Sequence, residues 1–132
     1  MTQKHKILLI EDDEAIREMY RLKFEMAGLS VKIAEDGKQG LKLAKRFKPD
    51  LLLLDLKIPT LGGEEVLEKL QTENDWAKNM KVIILSNISR NVAPKKLREL
   101  RVDKYLVKAH YTPSQVMEII QSTIEEIDEG KV

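Results

Sequence analysis

The chain has 132 residues, enough for one hydrophobic core and short of a second, so a single domain is expected. Its 34% of charged residues divide into 23 basic and 22 acidic, so no strong field draws it to nucleic acid or to an anionic membrane. It has no cysteine, which excludes a disulfide, a thiolate nucleophile and a zinc-thiolate site, and no apolar run approaches the ~20 residues of a membrane span.

The start, Met1-Thr2-Gln3-Lys4-His5-Lys6, passes directly into a strand-like run with no signal-peptide pattern, so a cytoplasmic location is expected. That run, Ile7-Leu8-Leu9-Ile10, is apolar throughout, as a strand buried on both faces must be, and it ends in Glu11-Asp12-Asp13. Ile16, Met19, Tyr20, Phe24 and Ala27 then follow a helical stripe, and Gly28 stands where a glycine closes a helix. Residues 31–34 form a second run with Lys32 in its middle, which suits a sheet edge. Asp36 with Gln39 is a capping pair for a helix holding Gly40, Leu41, Ala44 and Phe47, which halts before Pro49. Four leucines, residues 51–54, lead to Asp55, and a third helix from about Gly63 buries Val66, Leu67 and Leu70.

The fourth run, residues 82–85, leads to Ser86, and a fourth helix is predicted over residues 93–100 with Pro94 in its first turn. The short fifth run, residues 105–107, leads to Lys108. Thr112-Pro113-Ser114-Gln115 then supplies an N-cap, an N1 proline and an N3 glutamine for a last helix. Val116, Ile119, Ile120, Thr123, Ile124 and Ile127 are its apolar stripe. No internal repeat or linker interrupts the chain, and the few polar residues after this helix leave no room for an output domain. Residues 1–132 are therefore expected to form one domain with a core over about 6–127.

Alternating strands and helices predict a doubly wound α/β fold with a five-stranded parallel sheet. The continuous apolar runs are central and the other two are edges, giving the order 2-1-3-4-5 with five helices on two faces. In that order the carboxyl ends of the strands share one edge, and the topological switch point falls between the first and third strands. Three acids, a further aspartate, a hydroxyl and an ammonium then converge. Taken singly, each has an ordinary role: an acidic triplet caps a helix, a strand-ending aspartate forms a turn, and a loop serine or lysine faces water. Taken together they suit phosphate chemistry. Magnesium prefers oxygen ligands, often one or two carboxylates plus phosphate. Asp12 is assigned as a direct ligand, Glu11 as a ligand directly or through water, and Asp13 as the helix cap. An aspartate is ionised at neutral pH, so Asp55 is a nucleophile that needs no activating histidine. Ser86 can donate to a phosphoryl oxygen and Lys108 can pair with another. His5 and His110 lie outside this set.

These motifs carry a resemblance. Ile7 to Asp13, Asp50 to Asp55 with Ile58-Pro59 and Gly63, Leu85-Ser86, and Tyr105-Leu106-Val107-Lys108 are similar to the receiver domain of bacterial two-component response regulators, the CheY-like family, over residues 6–127. The resemblance implies that Asp55 accepts a phosphoryl group from a sensor histidine kinase or a histidine phosphotransfer protein. It implies that Glu11 and Asp12 bind Mg2+ with Asp55 and the backbone carbonyl of Lys57, that Ser86 and Lys108 contact the phosphoryl group, and that Ser86 and Tyr105 form the switch. A phosphoacceptor of this kind has at most slow autodephosphorylation and no external turnover. Its expected partners are the kinase and a downstream protein, without direct nucleic-acid contact or membrane insertion, as a monomer or a weak phosphorylation-dependent dimer. Lys95, Lys96 and Arg98 are candidate contacts on the face of the fourth helix, fifth strand and fifth helix.

Three residues depart from the family pattern. Ala109 follows Lys108 where a cis proline is usual, Asn87 follows Ser86 where a smaller residue is usual, and Lys57 stands two residues after Asp55. Asn87 and Lys57 together predict a long-lived phosphoryl group. The alternative reading is a phosphorylation-independent adaptor with the same fold. A haloacid-dehalogenase-type phosphatase would need an acid where Lys57 stands, and a flavin carrier would need a Ser/Thr/Gly-rich loop where Glu11-Asp12-Asp13 stands.

Overall fold

A computed structural model describes residues 4–130 of the chain. Five strands, β1 (Lys6–Ile10), β2 (Ser30–Ala34), β3 (Leu51–Leu54), β4 (Lys81–Ser86) and β5 (Lys104–Val107), form one parallel sheet in the order β2-β1-β3-β4-β5. Four α-helices connect and cover them: α1 (Glu14–Met26), α2 (Gly37–Phe47), α3 (Gly63–Glu73) and α4 (Pro113–Glu129). None of these helices is long and apolar enough to cross a membrane.

Side chains alternate across each strand, so a strand covered on both faces must be apolar at every position. Leu8, Ile10, Leu52, Leu54, Val82 and Ile84 pack under α2 and α3. Ile7, Leu9, Leu51, Leu53, Ile83 and Leu85 pack under α1, through Tyr20 and Phe24, and under α4, through Val116, Ile120 and Ile124. Burying one such side chain is worth about 1.5–3 kcal/mol, and a polar group in its place would have no partner. The polar side chains are therefore displaced to the strand ends, where the site forms.

The helix ends follow the local chemistry. Asp13 caps α1 by accepting from the Ile16 N–H at 3.0 Å. Asp36 caps α2 by accepting from the Gln39 N–H at 2.8 Å, and the Gln39 side chain accepts from Glu35, one residue before the cap. Thr112 and Gln115 form a complete capping box at the start of α4. At Gly63 a Cβ would stand 2.4 Å from the Asp55 carbonyl oxygen, so only glycine lets α3 begin this close to the end of β3.

The predicted fourth helix is a correction: the described residues hold four α-helices, not five. Residues 93–100 hold only a short 3-10 segment, Lys95–Glu99, preceded by a 3-10 turn at Arg90–Val92. Proline biases the residue before it towards extended backbone, and Ala93 is extended at φ −65, ψ 155. Pro94 is extended as well, with ψ 134, and so is Leu100, with ψ 153. The residues between them are too few to repay α-helix nucleation. A further 3-10 segment, Asp75–Asn79, precedes β4.

Candidate functional site

The register sets Ile10 beside Leu54, so the next residues, Glu11 and Asp55, leave the sheet side by side. Both ladders run one bond further: the Asp55 N–H donates to the Ile10 carbonyl at 3.1 Å and the Glu11 N–H to the Ala34 carbonyl at 3.0 Å. Glu11 is 2% and Asp55 7% exposed, which makes them two buried carboxylates at the switch point, while Asp12 stands exposed at the rim. Glu11, Asp12 and Asp55 each offer an oxygen within 4.8 Å of the others.

Lys108 reaches this cluster from the end of β5. Its Nζ donates to Glu11 Oε1 at 2.5 Å and to Asp55 Oδ2 at 2.9 Å. The Lys108–Ala109 bond is trans and opens a 3-10 turn, Lys108–His110. The Lys57 N–H donates to Asp55 Oδ1 at 3.3 Å, so both oxygens of Asp55 are engaged, and the Lys57 side chain is exposed.

Ser86 ends β4 beside Val107 and is buried. Its Oγ accepts from the Ile88 N–H at 3.2 Å, and the Tyr105 hydroxyl donates to the Ile88 carbonyl at 2.5 Å. One residue, Ile88, thus joins the two candidate switch side chains through its backbone. Half-buried Tyr105 lines a cavity of about 90 Å³ with Arg90, Pro94 and Leu97, and the Arg90 guanidinium lies 5.9 Å from its ring centroid.

Two residues enter the site that sequence reasoning missed. Arg17 donates from one guanidinium nitrogen to the carbonyls of Glu11 and Asp12, at 3.0 and 2.7 Å, and fastens the acidic loop to α1. Thr60 fastens the turn after β3 to α2. A helical arginine and a loop threonine are too common for sequence to mark either. The histidines lie outside the cluster: His5 Nε2 is 2.8 Å from Asp128 Oδ1, in a wide cleft at the opposite edge of the sheet, and His110 is exposed.

Burial pushes the Glu11 carboxyl above its ordinary value, against the pull of Lys108. Burial alone would lower Lys108, but its bonds to Glu11 and Asp55 outweigh that and raise it, so it stays a cation. Burial also raises the Tyr105 hydroxyl, which stays a donor. Three carboxylates against one ammonium leave the pocket net negative. Its donors are all hard oxygens, a set that fits a divalent cation such as magnesium.

Residues 7–121 match the family model described as "Response regulator receiver domain". The chain belongs to that family. This receiver is 34% identical over 128 residues to the "Probable transcriptional regulator ycf27" of Porphyridium aerugineum, a match covering 97% of the chain and 51% of that protein. It is 35% identical over 88 residues to the "Response regulator MprA" of Mycobacterium leprae, covering 67% of the chain and 39% of that protein. The receiver thus spans about half the length of the first of these relatives and less of the second. Among solved structures, a CheY-like response regulator receiver domain protein from Methanospirillum hungatei superposes with a TM-score of 0.87 at 26% identity, covering 97% of this chain and 99% of that one.

Proposed function

We propose that this receiver is a magnesium-dependent phosphoacceptor that takes a phosphoryl group onto Asp55 from a sensor histidine kinase or a histidine phosphotransfer protein. The supporting observation is the pairing of Lys108 with Asp55 and Glu11 beside the Asp12 carboxylate. Phosphoryl transfer asks mainly for alignment and neutralised charge. An oxygen of Asp55 forms the O–P bond as the N–P bond of the donor phosphohistidine breaks, and that electron pair returns to the imidazole. Glu11, Asp12, Asp55 and the Lys57 carbonyl would hold Mg2+, which supplies charge neutralisation when bound. Lys108 then contacts the phosphoryl oxygens, and the Ser86 hydroxyl donates to them while its lone pair keeps the Ile88 N–H.

The output is a protein contact or onward transfer. Drawing Ser86 towards a phosphoryl group pulls on Ile88, and through its carbonyl on Tyr105, whose far side is the 3-10 segment Lys95–Glu99. Lys95 and Arg98 are exposed there, and Lys96 pairs with Glu68 at 3.2 Å. We read residues 1–132 as one such unit, acting in the cytoplasm as a monomer or a weak phosphorylation-dependent dimer.

The test is intact mass after incubation with a phosphorylated kinase domain or phosphoramidate, with and without magnesium, for wild type and Asp55→Asn. A single magnesium-dependent phosphoryl adduct, absent in Asp55→Asn, is expected. No adduct under donors that label a control receiver would favour the phosphorylation-independent adaptor.

A further inference from the structure

The turn after β3 holds a threonine in a conformation its type disfavours. Thr60 has φ 67, an outlier for a β-branched residue. The Leu61 N–H donates to the Pro59 carbonyl at 2.9 Å, closing a γ-turn with Thr60 at its centre, the strained form of that turn. Strain persists only where the surroundings over-determine it, and here the surroundings are the first turn of α2. Thr60 Oγ1 accepts from the Lys38 N–H at 2.9 Å and donates to Asp36 Oδ1 at 3.1 Å. The Gly37 N–H donates to the Pro59 carbonyl at 3.0 Å, and a Cβ at Gly37 would lie 2.1 Å from the Leu61 carbonyl oxygen. The turn is bolted to α2 by a side chain and by backbone. Its other end is Lys57, whose N–H bonds Asp55.

We infer that Thr60 is a positioning residue: its hydroxyl clamps the β3–α3 turn onto the start of α2, holds the Lys57 peptide against Asp55, and so sets the magnesium affinity of the acidic pocket. The inference rests on the proposed metal-dependent reading. A merely structural Thr60 would cap α2, satisfying the Lys38 N–H, and its loss would lower the melting temperature without touching metal affinity.

Magnesium chloride titrations followed by amide NMR shifts, with melting curves in chelator, separate these roles. Thr60→Ser keeps the hydroxyl and is expected to bind Mg2+ as wild type does. Thr60→Val keeps the branch without the hydroxyl and is expected to bind roughly three- to ten-fold more weakly, the worth of about one hydrogen bond. Thr60→Gly relieves the positive φ, folds without strain, and is expected to bind as weakly as Thr60→Val. Asp12→Asn is the control and is expected to lose most binding. Wild-type affinity in Thr60→Val or Thr60→Gly, with Asp12→Asn impaired, overturns the clamp and leaves the metal reading standing. Equal weakening in Thr60→Ser and Thr60→Val also overturns it, because the hydroxyl is then irrelevant. Undiminished binding in Asp12→Asn overturns the metal reading and the clamp together.

Discussion

Lys108 neutralises two carboxylates that the strands force out of water. Removing one partner of a buried pair costs about 3–5 kcal/mol, and this pair opens onto a rim, so Lys108→Met is expected to lose about 3 kcal/mol in urea unfolding without metal. Its pH dependence follows from Glu11, whose carboxyl is raised by burial even beside Lys108. A raised carboxyl binds more protons folded than unfolded, so its contribution is full at low pH and is lost as pH rises through the folded value. The Lys108→Met variant is therefore expected to gain stability as pH falls from about 7 to about 5, since protonating Glu11 relieves the unpaired charge. A loss over that range would reject this account. Lys57 carries the second residue-scale prediction: it stands two residues after Asp55 with an exposed side chain, so Lys57→Ala is expected to shorten the phosphoryl lifetime several-fold, read by the decay of the labelled protein. Rapid decay in wild type, unchanged in the variant, would refute it. Sequence placed Glu11, Asp55, Ser86 and Lys108 at strand ends because an all-apolar strand leaves its next polar residue nowhere else to go. Their bonding partners, and Arg17 and Thr60, depend on distances between elements that spacing along the chain does not encode.

The sheet order was legible because burial on both faces writes itself into sequence as uninterrupted apolar runs, and the caps of α1, α2 and α4 were legible because capping is local. Residues 93–100 misled for the same reason in reverse. Ala93, Leu97 and Leu100 have helical spacing, but spacing does not weigh a proline's backbone against a short segment, and the far end is fixed from outside. That end is held by Arg101, whose guanidinium donates to the carbonyls of Ala77 and Met80, at 2.9 and 2.6 Å, and to Asp103 at 3.1 Å. Gln71 brackets its peptide, accepting from the Arg101 N–H at 2.9 Å and donating to its carbonyl at 2.8 Å. Arg101→Ala strands the Met80 carbonyl, while the Ala77 carbonyl keeps the Met80 N–H at 3.2 Å, and is expected to cost about 1–3 kcal/mol in urea unfolding while leaving phosphoryl uptake intact. A variant that melts like wild type would show that water replaces the guanidinium freely.

At the scale of the whole molecule, two apolar layers close over the sheet and leave its charge concentrated at one edge. The oxygens of Glu11, Asp12 and Asp55 lie within 4.8 Å of one another with Lys108 bonded to two of these acids, so two negative charges go unbalanced. Like charges at this spacing oppose folding, and a cation that binds the folded state alone offsets them by mass action. At ten times its dissociation constant such a cation stabilises by about 1.4 kcal/mol. Magnesium is therefore expected to raise the melting temperature of wild type by several degrees, in a saturable way that monovalent salt at equal ionic strength does not reproduce. Asp12→Asn separates charge repulsion from metal binding, because Asp12 is exposed and its loss removes repulsion without opening a cavity. That variant is expected to melt above wild type in chelator and to gain little from magnesium, so that the two curves converge as the metal is added. If Asp12→Asn melts below wild type in chelator, Arg17 and Lys108 already balance the acids, and the pocket is poised for the phosphoryl group's charge rather than for the metal's.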